Sequence, residues 1–101
     1  MRRLTVLEIV TVRLGAEARA SVEEKLARAL EDARREDVEL QARLYRSSGS
    51  PTDLSVHLSR PLAGAAGSTA LGLRIAAGLA EVGQVSSSIW VEVERGGEEG
   101  R

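Results

Sequence analysis

Residues 4–14 read LTVLEIVTVRL, and this stretch decides the fold. It is rich in β-branched residues and is followed by Gly15, a pattern typical of a strand that ends in a turn. Its apolar side chains fall on both parities, with Val10 on one side and Leu7 and Ile9 on the other. A strand that is apolar on both sides is predicted to lie centrally in a sheet, with both faces covered.

Residues 16–35 change to the period of a helix, because apolar side chains recur every three or four positions and charged side chains fill the opposite face. Ser21 and Glu24 have the spacing of a capping box. Ala16 and Glu17 upstream would equally allow the helix to begin earlier. A helix packed on the first strand is predicted.

Two segments that alternate between apolar and polar residues follow, at 38–46 (VELQARLYR) and 53–60 (DLSVHLSR). Turn residues, SSGSPT, separate them at 47–52. The pattern predicts a β-hairpin whose first strand begins with Val38 on the apolar side. If the polar faces match, Tyr45 lies opposite Ser55.

The same register places Arg43 opposite His57 on the polar side of the hairpin. Both side chains then project from neighbouring strands, in the same direction as Tyr45. The hairpin therefore brings three chemically useful side chains together.

The second half of the chain repeats the order of helix and strand. Residues 61–67 form a connection, and Ser68 or Thr69 is predicted to cap a second helix. Gly72 and Gly78 weaken this helix and are expected to permit close packing against a neighbouring backbone. Its predicted inner stripe is Leu71, Ile75, Leu79 and Val82.

The last predicted strand covers residues 86–94 (SSSIWVEVE). Its expected inner side chains are Ile89, Val91 and Val93. Its expected outer side chains are Ser88, Trp90, Glu92 and Glu94.

These elements predict a single α+β domain over residues 1–95, with a flexible tail at 96–101. The fold class is ferredoxin-like βαββαβ, with a four-stranded antiparallel sheet and two helices on one face. The other face is left bare, although the first strand places apolar side chains on it. Since the core contains no Phe and only small aliphatic residues, a second copy is an expected source of further burial.

Composition excludes several classes of function. The 14 basic and 15 acidic side chains leave a formal net charge of −1, so nucleic acid is not an expected partner. The lack of Cys excludes disulfides and thiolate chemistry and fits a reducing compartment. No apolar stretch is long enough to span a membrane, and the first residues lack the cleavage site of a signal peptide. A cytoplasmic location is therefore predicted.

The element order over residues 4–94, with the opening LEIVTVRLG at 7–15, resembles the dimeric α+β barrel superfamily. This superfamily includes the antibiotic biosynthesis monooxygenase-like proteins and the stress-responsive barrel proteins. The resemblance implies a homodimer, a dimeric α/β barrel in which two sheets face each other around an apolar or aromatic substrate. Its haem-degrading branch relies on Asn, Trp and His, and this sequence contains no Asn. Haem degradation by that mechanism is therefore not expected, and no cofactor is predicted.

The candidates for chemistry lie on the bare face. His57 is the only His, the side-chain type that titrates near neutrality, and Arg43 beside it is placed to hold a substrate oxyanion while His57 transfers a proton. A lone His on a strand also has a structural interpretation. The predicted catalytic residues are His57 and Arg43, and the predicted ligand-binding or dimer-interface residues are Tyr45, Trp90, Gln41 and Glu92.

Two other sites are disfavoured. The segment 64–69 (GAAGST) precedes a helix, as an anion site would, but it lacks the Lys of a P-loop. Glu8, Glu92 and His57 would have to converge from three strands to bind a metal, and no two of them have the spacing of a local ligand pair. No metal is expected.

The leading hypothesis is a homodimer that binds a small apolar or aromatic molecule between facing sheets and acts as a cofactor-independent monooxygenase. The alternatives are a non-catalytic structural or interaction dimer and an ACT-like small-molecule-binding regulatory domain. The sequence leaves open whether the chain is an enzyme. A pocket of roughly a few hundred Å³ lined by Arg43 and His57 would favour ligand binding, and a filled face would not.

Overall fold

The computed structural model describes residues 3–64 and 67–94. The elements follow the predicted order: β1 (Thr5–Arg13), α1 (Ala16–Glu36), β2 (Gln41–Arg46), β3 (Asp53–Pro61), α2 (Ala70–Ala80) and β4 (Gln84–Val91). The strands form one antiparallel sheet in the order β2-β3-β1-β4. The ferredoxin-like prediction is confirmed, and the predicted tail at 96–101 lies outside the described residues. Within those residues, no helix is both long and apolar enough to cross a membrane.

The core lies between the helices and one face of the sheet. Alternate side chains of the two central strands are buried there, because successive residues of a strand point to opposite faces. The helices add an apolar stripe each. The buried apolar side chains of these elements include Val6, Val10, Val12, Leu54, Val56, Leu58, Leu26, Leu30, Ile75 and Leu79.

The hairpin of β2 and β3 has the predicted register. Tyr45 pairs with Ser55, and Arg43 pairs with His57. In the connecting turn, the hydroxyl of Ser47 accepts hydrogen bonds from backbone N–H groups at Gly49 and Ser50, at 3.2 and 3.1 Å. In the turn, these two N–H groups have no partner on a neighbouring strand, and the Ser47 hydroxyl serves as their acceptor, as is common for Ser in turns.

The prediction that β2 begins at Val38 is wrong, because a turn occupies the residues after α1. The carboxylate of Asp37 accepts the backbone N–H of Glu39 at 3.0 Å, and its carbonyl accepts the N–H of Leu40 at 3.2 Å. Val38 is therefore 92% exposed rather than inward-facing. An Asp whose side chain bonds two residues ahead competes with the strand ladder.

Three further apolar side chains predicted to face inward are exposed: Val82, Val91 and Val93. Val82 follows the end of α2 and lies in a turn, where its backbone N–H donates to the carbonyl of Leu79. Val93 lies beyond β4 and is 77% exposed, because the pairing with β1 ends at Val91. At Val82 and Val93 the apolar pattern continues past the end of the element, and Val91 is the last paired residue of β4.

Helix α1 begins at Ala16 with Gly15 as its N-cap, so the capping-box reading of Ser21 is wrong. The helix is tied to the end of β2 by an ion-pair cluster. The carboxylate of Glu23 accepts hydrogen bonds from Arg46 at 2.9 and 2.8 Å and from Arg19 at 2.7 Å. These bonds, led by those of Arg46, lower the pKa of Glu23 to about 2. The cluster therefore holds the end of β2, which includes Tyr45, against α1.

Helix α2 begins over a buried carboxylate. Glu8 on β1 is 1% exposed, and its Oε1 accepts a hydrogen bond from the hydroxyl of Thr69 at 2.8 Å. The Thr69 hydroxyl in turn accepts the backbone N–H of Gly72 at 2.9 Å, which confirms Thr69 as the N-cap. The chain's own carboxylate thus lies where the positive end of the helix dipole would attract an anion. It also faces the helices, which excludes the metal cluster with His57 on the other face.

A candidate ligand-binding site on the open sheet face

The sheet face opposite the helices, here called the open face, consists of rows of side chains that cross all four strands. Directly paired residues project to the same side, at about 4.5–5.5 Å from one another. The first row is Gln41, Ser59, Leu7 and Trp90. The second row is Arg43, His57, Ile9 and Ser88. The third row is Tyr45, Ser55, Thr11 and Ser86, and a fourth contains Asp53, Arg13 and Gln84.

The open face combines apolar and hydroxyl-bearing side chains. Leu7 and Ile9 of the central strand β1 are half-buried between their neighbours, although no described element lies over them. Thr11 and Ser86 share a hydrogen bond between their hydroxyls at 2.5 Å. The apolar residues are therefore bordered by a polar surface, as in small-molecule sites.

A depression of about 280 Å³ lies on the β2, β3 and β1 side of the open face. For scale, a cavity of about 150 Å³ holds benzene. Four of the six residues predicted for the site line it, because the hairpin register places them together. The lining residues are Leu7, Gln41, Arg43, Tyr45, His57 and Ser59.

His57 is fixed within this depression by two neighbours. Its ring centroid lies 4.5 Å from that of Tyr45, with the planes inclined at 50°. Its Nε2 lies 3.0 Å from the hydroxyl oxygen of Ser55, with which it shares a hydrogen bond. Burial lowers the pKa of His57 below its usual value. The imidazole is therefore neutral at pH 7 and able to accept a proton.

We expect the ring-proton NMR signal of His57, the only His in the chain, to titrate with a midpoint below its ordinary value of about 6.5. The folded state then binds fewer protons than the unfolded state. Stability contributed by neutral His57 is present above about pH 6.5 and is lost as the pH falls through the folded-state pKa. Tyr45→Ala should raise the midpoint by admitting water, and Tyr45→Phe should not. A wild-type midpoint at or above about 6.5 would show that burial does not lower the pKa of His57.

The two other predicted site residues lie away from the depression. Trp90 stands on the far edge strand, about 14 Å from Gln41 across three strand spacings. Its indole N–H donates to the hydroxyl of Ser88 at 2.9 Å, and the side chain is 59% exposed. Glu92 lies beyond the end of β4, where its Oε1 accepts the N–H of Thr5 at 3.0 Å. One chain therefore does not bring these residues to His57.

A larger depression of about 850 Å³ lies beside the first, at the ends of the strands. Its two arginines already have acidic partners: Arg13 lies 3.6 Å from Asp53, and Arg46 binds Glu23. It shares Tyr45 with the smaller depression, and its charged side chains Arg13, Arg46 and Asp53 all take part in ion pairs, although the buried Oδ1 of Asp53 has no hydrogen-bond partner among the described residues. The smaller depression therefore has the stronger chemical case.

Sequence reasoning did not single out Leu7 and Ser59 as site residues. Both have the parity of the open face, so strand alternation could have identified them. Among residues 3–64 and 67–94, no group of three or more His, Asp or Glu side chains is placed to hold a metal ion.

No family model and no curated protein matches this sequence. Solved structures do match. A protein from Nitrosomonas europaea that has been proposed to be an antibiotic biosynthesis monooxygenase superposes with a TM-score of 0.69 at 13% identity, over 94% of this chain and 96% of that one. The chain has the fold of that protein.

Two further structures share the fold. One is a Bacteroides thetaiotaomicron protein of unknown function for which an oxidoreductase activity has been suggested, with a TM-score of 0.69 at 12% identity, over 90% of this chain and all of that one. The other is an antibiotic biosynthesis monooxygenase, with a TM-score of 0.62 at 14% identity, over 88% of this chain and 97% of that one. The predicted resemblance to antibiotic biosynthesis monooxygenase-like proteins is confirmed at the level of the fold.

Proposed function

We propose that the chain pairs with a second copy through the open face and binds a small apolar or aromatic molecule between the two sheets. It then oxidises that molecule with molecular oxygen and no cofactor. The observation that carries the proposal is the depression in which Arg43, His57 and Tyr45 meet, next to Leu7 on a face that none of the described residues covers.

Pairing is supported by the apolar content of the central strand. Leu7 and Ile9 lie in the middle of the open face, with Trp90 at its edge. A second sheet packed at about 10 Å would remove these side chains from water. Aromatic side chains such as Trp90 are enriched at such interfaces. Two depressions would then face one common space.

The chemistry follows from a neutral base beside a cation. His57 removes a proton from a CH₂ group that a conjugated carbonyl has made acidic, and Arg43 binds the resulting enolate oxygen. The carbanion transfers electrons to O₂ and forms a C–O bond, and the peroxide takes up the proton. Loss of the second C–H proton and of hydroxide then gives a ketone and water. The balanced reaction is R₂CH₂ + O₂ → R₂C=O + H₂O.

The activity is tested with anthrone as the probe, by following oxygen uptake and anthraquinone formation without added metal or flavin. We expect one O₂ consumed per anthraquinone, and a rate reduced by about 10²–10⁴-fold in His57→Ala, the range for loss of a general base. Arg74→Gln, a charge change on α2, should leave the rate unchanged. Equal rates in wild type and His57→Ala, or a rate that needs added metal, would contradict the proposed chemistry.

A further inference from the structure

The arginines of the open face differ in their pairing. Arg13 lies 3.6 Å from Asp53, and Arg3, just before β1, binds Glu39 at 2.5 Å. Arg43, between them in the lining of the depression, has no ion pair or hydrogen bond within the described residues 3–64 and 67–94. The face therefore carries one uncompensated positive charge at its candidate site.

This charge has a consequence if the face is covered. Water solvates Arg43 in a single chain, where the side chain is exposed. A second sheet would remove that water, and a buried charge without a partner strongly opposes association. Neutral His57 adds no negative charge, and Asp53 two rows away is already beside Arg13. Within the described residues of one chain no acidic side chain pairs with Arg43, so a bound anion is a candidate for the counter-charge.

The other lining groups indicate what supplies it. Gln41 offers an amide N–H₂, and Tyr45 and Ser59 each offer a hydroxyl that can donate a hydrogen bond. Together with the forked guanidinium of Arg43, they form a set rich in donors, which suits a carboxylate. Leu7 and the ring of Tyr45 provide an apolar wall for an aromatic body.

We infer that the ligand of this site is a small aromatic molecule with a carboxylate, which binds Arg43 and supplies the counter-charge that lets the two sheets close. The guanidinium has five N–H donors, so it can bind this carboxylate and still donate to the enolate oxygen. The inference rests on the proposed pairing and deepens it. It makes dimer formation and anion binding linked equilibria, so each strengthens the other by the same factor.

The first test needs no knowledge of the natural ligand. The dissociation constant of the dimer is measured in low salt, without added organic anions, for wild type, Arg43→Gln and Arg74→Gln. Arg43→Gln should dimerise about tenfold more tightly or better, because it removes the unpaired buried charge. Arg74→Gln makes the same charge change on α2 and should match wild type. If Arg43→Gln dimerises equally or more weakly, then Arg43 already has a partner across the interface, and the inference is wrong.

The second test compares 2-naphthoate with the neutral 2-naphthamide by calorimetry. Wild type should bind the carboxylate about tenfold more tightly or better, and Arg43→Gln should abolish that preference while retaining the amide. 2-Naphthoate should also tighten the wild-type dimer. Equal affinity for the two probes in a dimeric protein would overturn the inference and leave the proposed pairing intact. A wild-type monomer at all concentrations that binds neither probe would overturn both.

Discussion

Gly72→Ala is expected to destabilise the protein by about 3 kcal/mol, the range for strong overpacking and loss of a buried hydrogen bond. A Cβ at this position would overlap the carboxylate of Glu8, with Oε1 only 2.6 Å away. That carboxylate cannot swing aside freely, since it is buried beneath α2 and bound to Thr69. Denaturant unfolding followed by circular dichroism measures the change.

Gly78 provides the matched control within the same helix. It is exposed, and a Cβ there would meet no atom within 4 Å, so Gly78→Ala should stabilise the protein by about 1 kcal/mol. In a Glu8→Ala background, Gly72→Ala should lose most of its cost, because the group it overlaps is gone. An unchanged cost in that background would show that the clash with Glu8 is not the cause.

Ile9→Lys is expected to weaken pairing strongly while leaving the single chain folded. Ile9 lies on the central strand of the open face, where a Lys side chain can reach water in a monomer. In a stacked dimer it would place two further charges in the middle of the interface. We expect the dimer dissociation constant to rise by about 1000-fold, equivalent to about 4 kcal/mol.

Leu73→Lys on α2 is the control for Ile9→Lys, because Leu73 is an exposed apolar side chain on the helix side of the molecule. It should leave the dimer unchanged. Analytical ultracentrifugation gives the dissociation constants, and circular dichroism checks the fold of each variant. A dimer of Ile9→Lys as tight as wild type would mean that the copies associate through another surface.

Much of the fold could be predicted from alternation along the strands. The parity of β1 separated Val10 from Leu7 and Ile9, and the structure places them on opposite faces. The matched polar sides of the hairpin also gave the pairing of Arg43 with His57. Alternation depends only on neighbouring positions in the chain, so the face on which each strand residue lies can be predicted from a single sequence.

Alternation places Glu8 on the same side of β1 as Val10, but the contacts of its carboxylate could not be predicted in this way. A carboxylate within an apolar strand suggests exposure or a metal ligand, whereas Glu8 is buried against Thr69, 61 residues away. Such a contact depends on how α2 packs on β1, which a local pattern does not encode. Gly72 and Gly78 were expected to pack closely against a neighbouring backbone, and this prediction is wrong: Gly72 accommodates the Glu8 side chain, and a Cβ at Gly78 would meet no atom within 4 Å.

The candidate site was predictable only in part, for a similar reason. Residues on the hairpin are brought together by strand pairing, so Gln41, Arg43, Tyr45 and His57 meet in one depression. Trp90 lies at the opposite edge of the sheet, and only a second copy would bring another Trp90 near this depression. Whether Trp90 contributes to the site therefore depends on how two copies of the chain pair, which a single sequence does not encode.

The most direct test of the central claim, that two open faces stack, is the molar mass of the wild-type protein by light scattering across a dilution series. The fluorescence of Trp90, the only Trp, is recorded in parallel. We expect a mass of two chains at high concentration, with Trp90 emission shifting to longer wavelength as dilution separates them. A mass of one chain at every concentration, with unchanged emission, would contradict it.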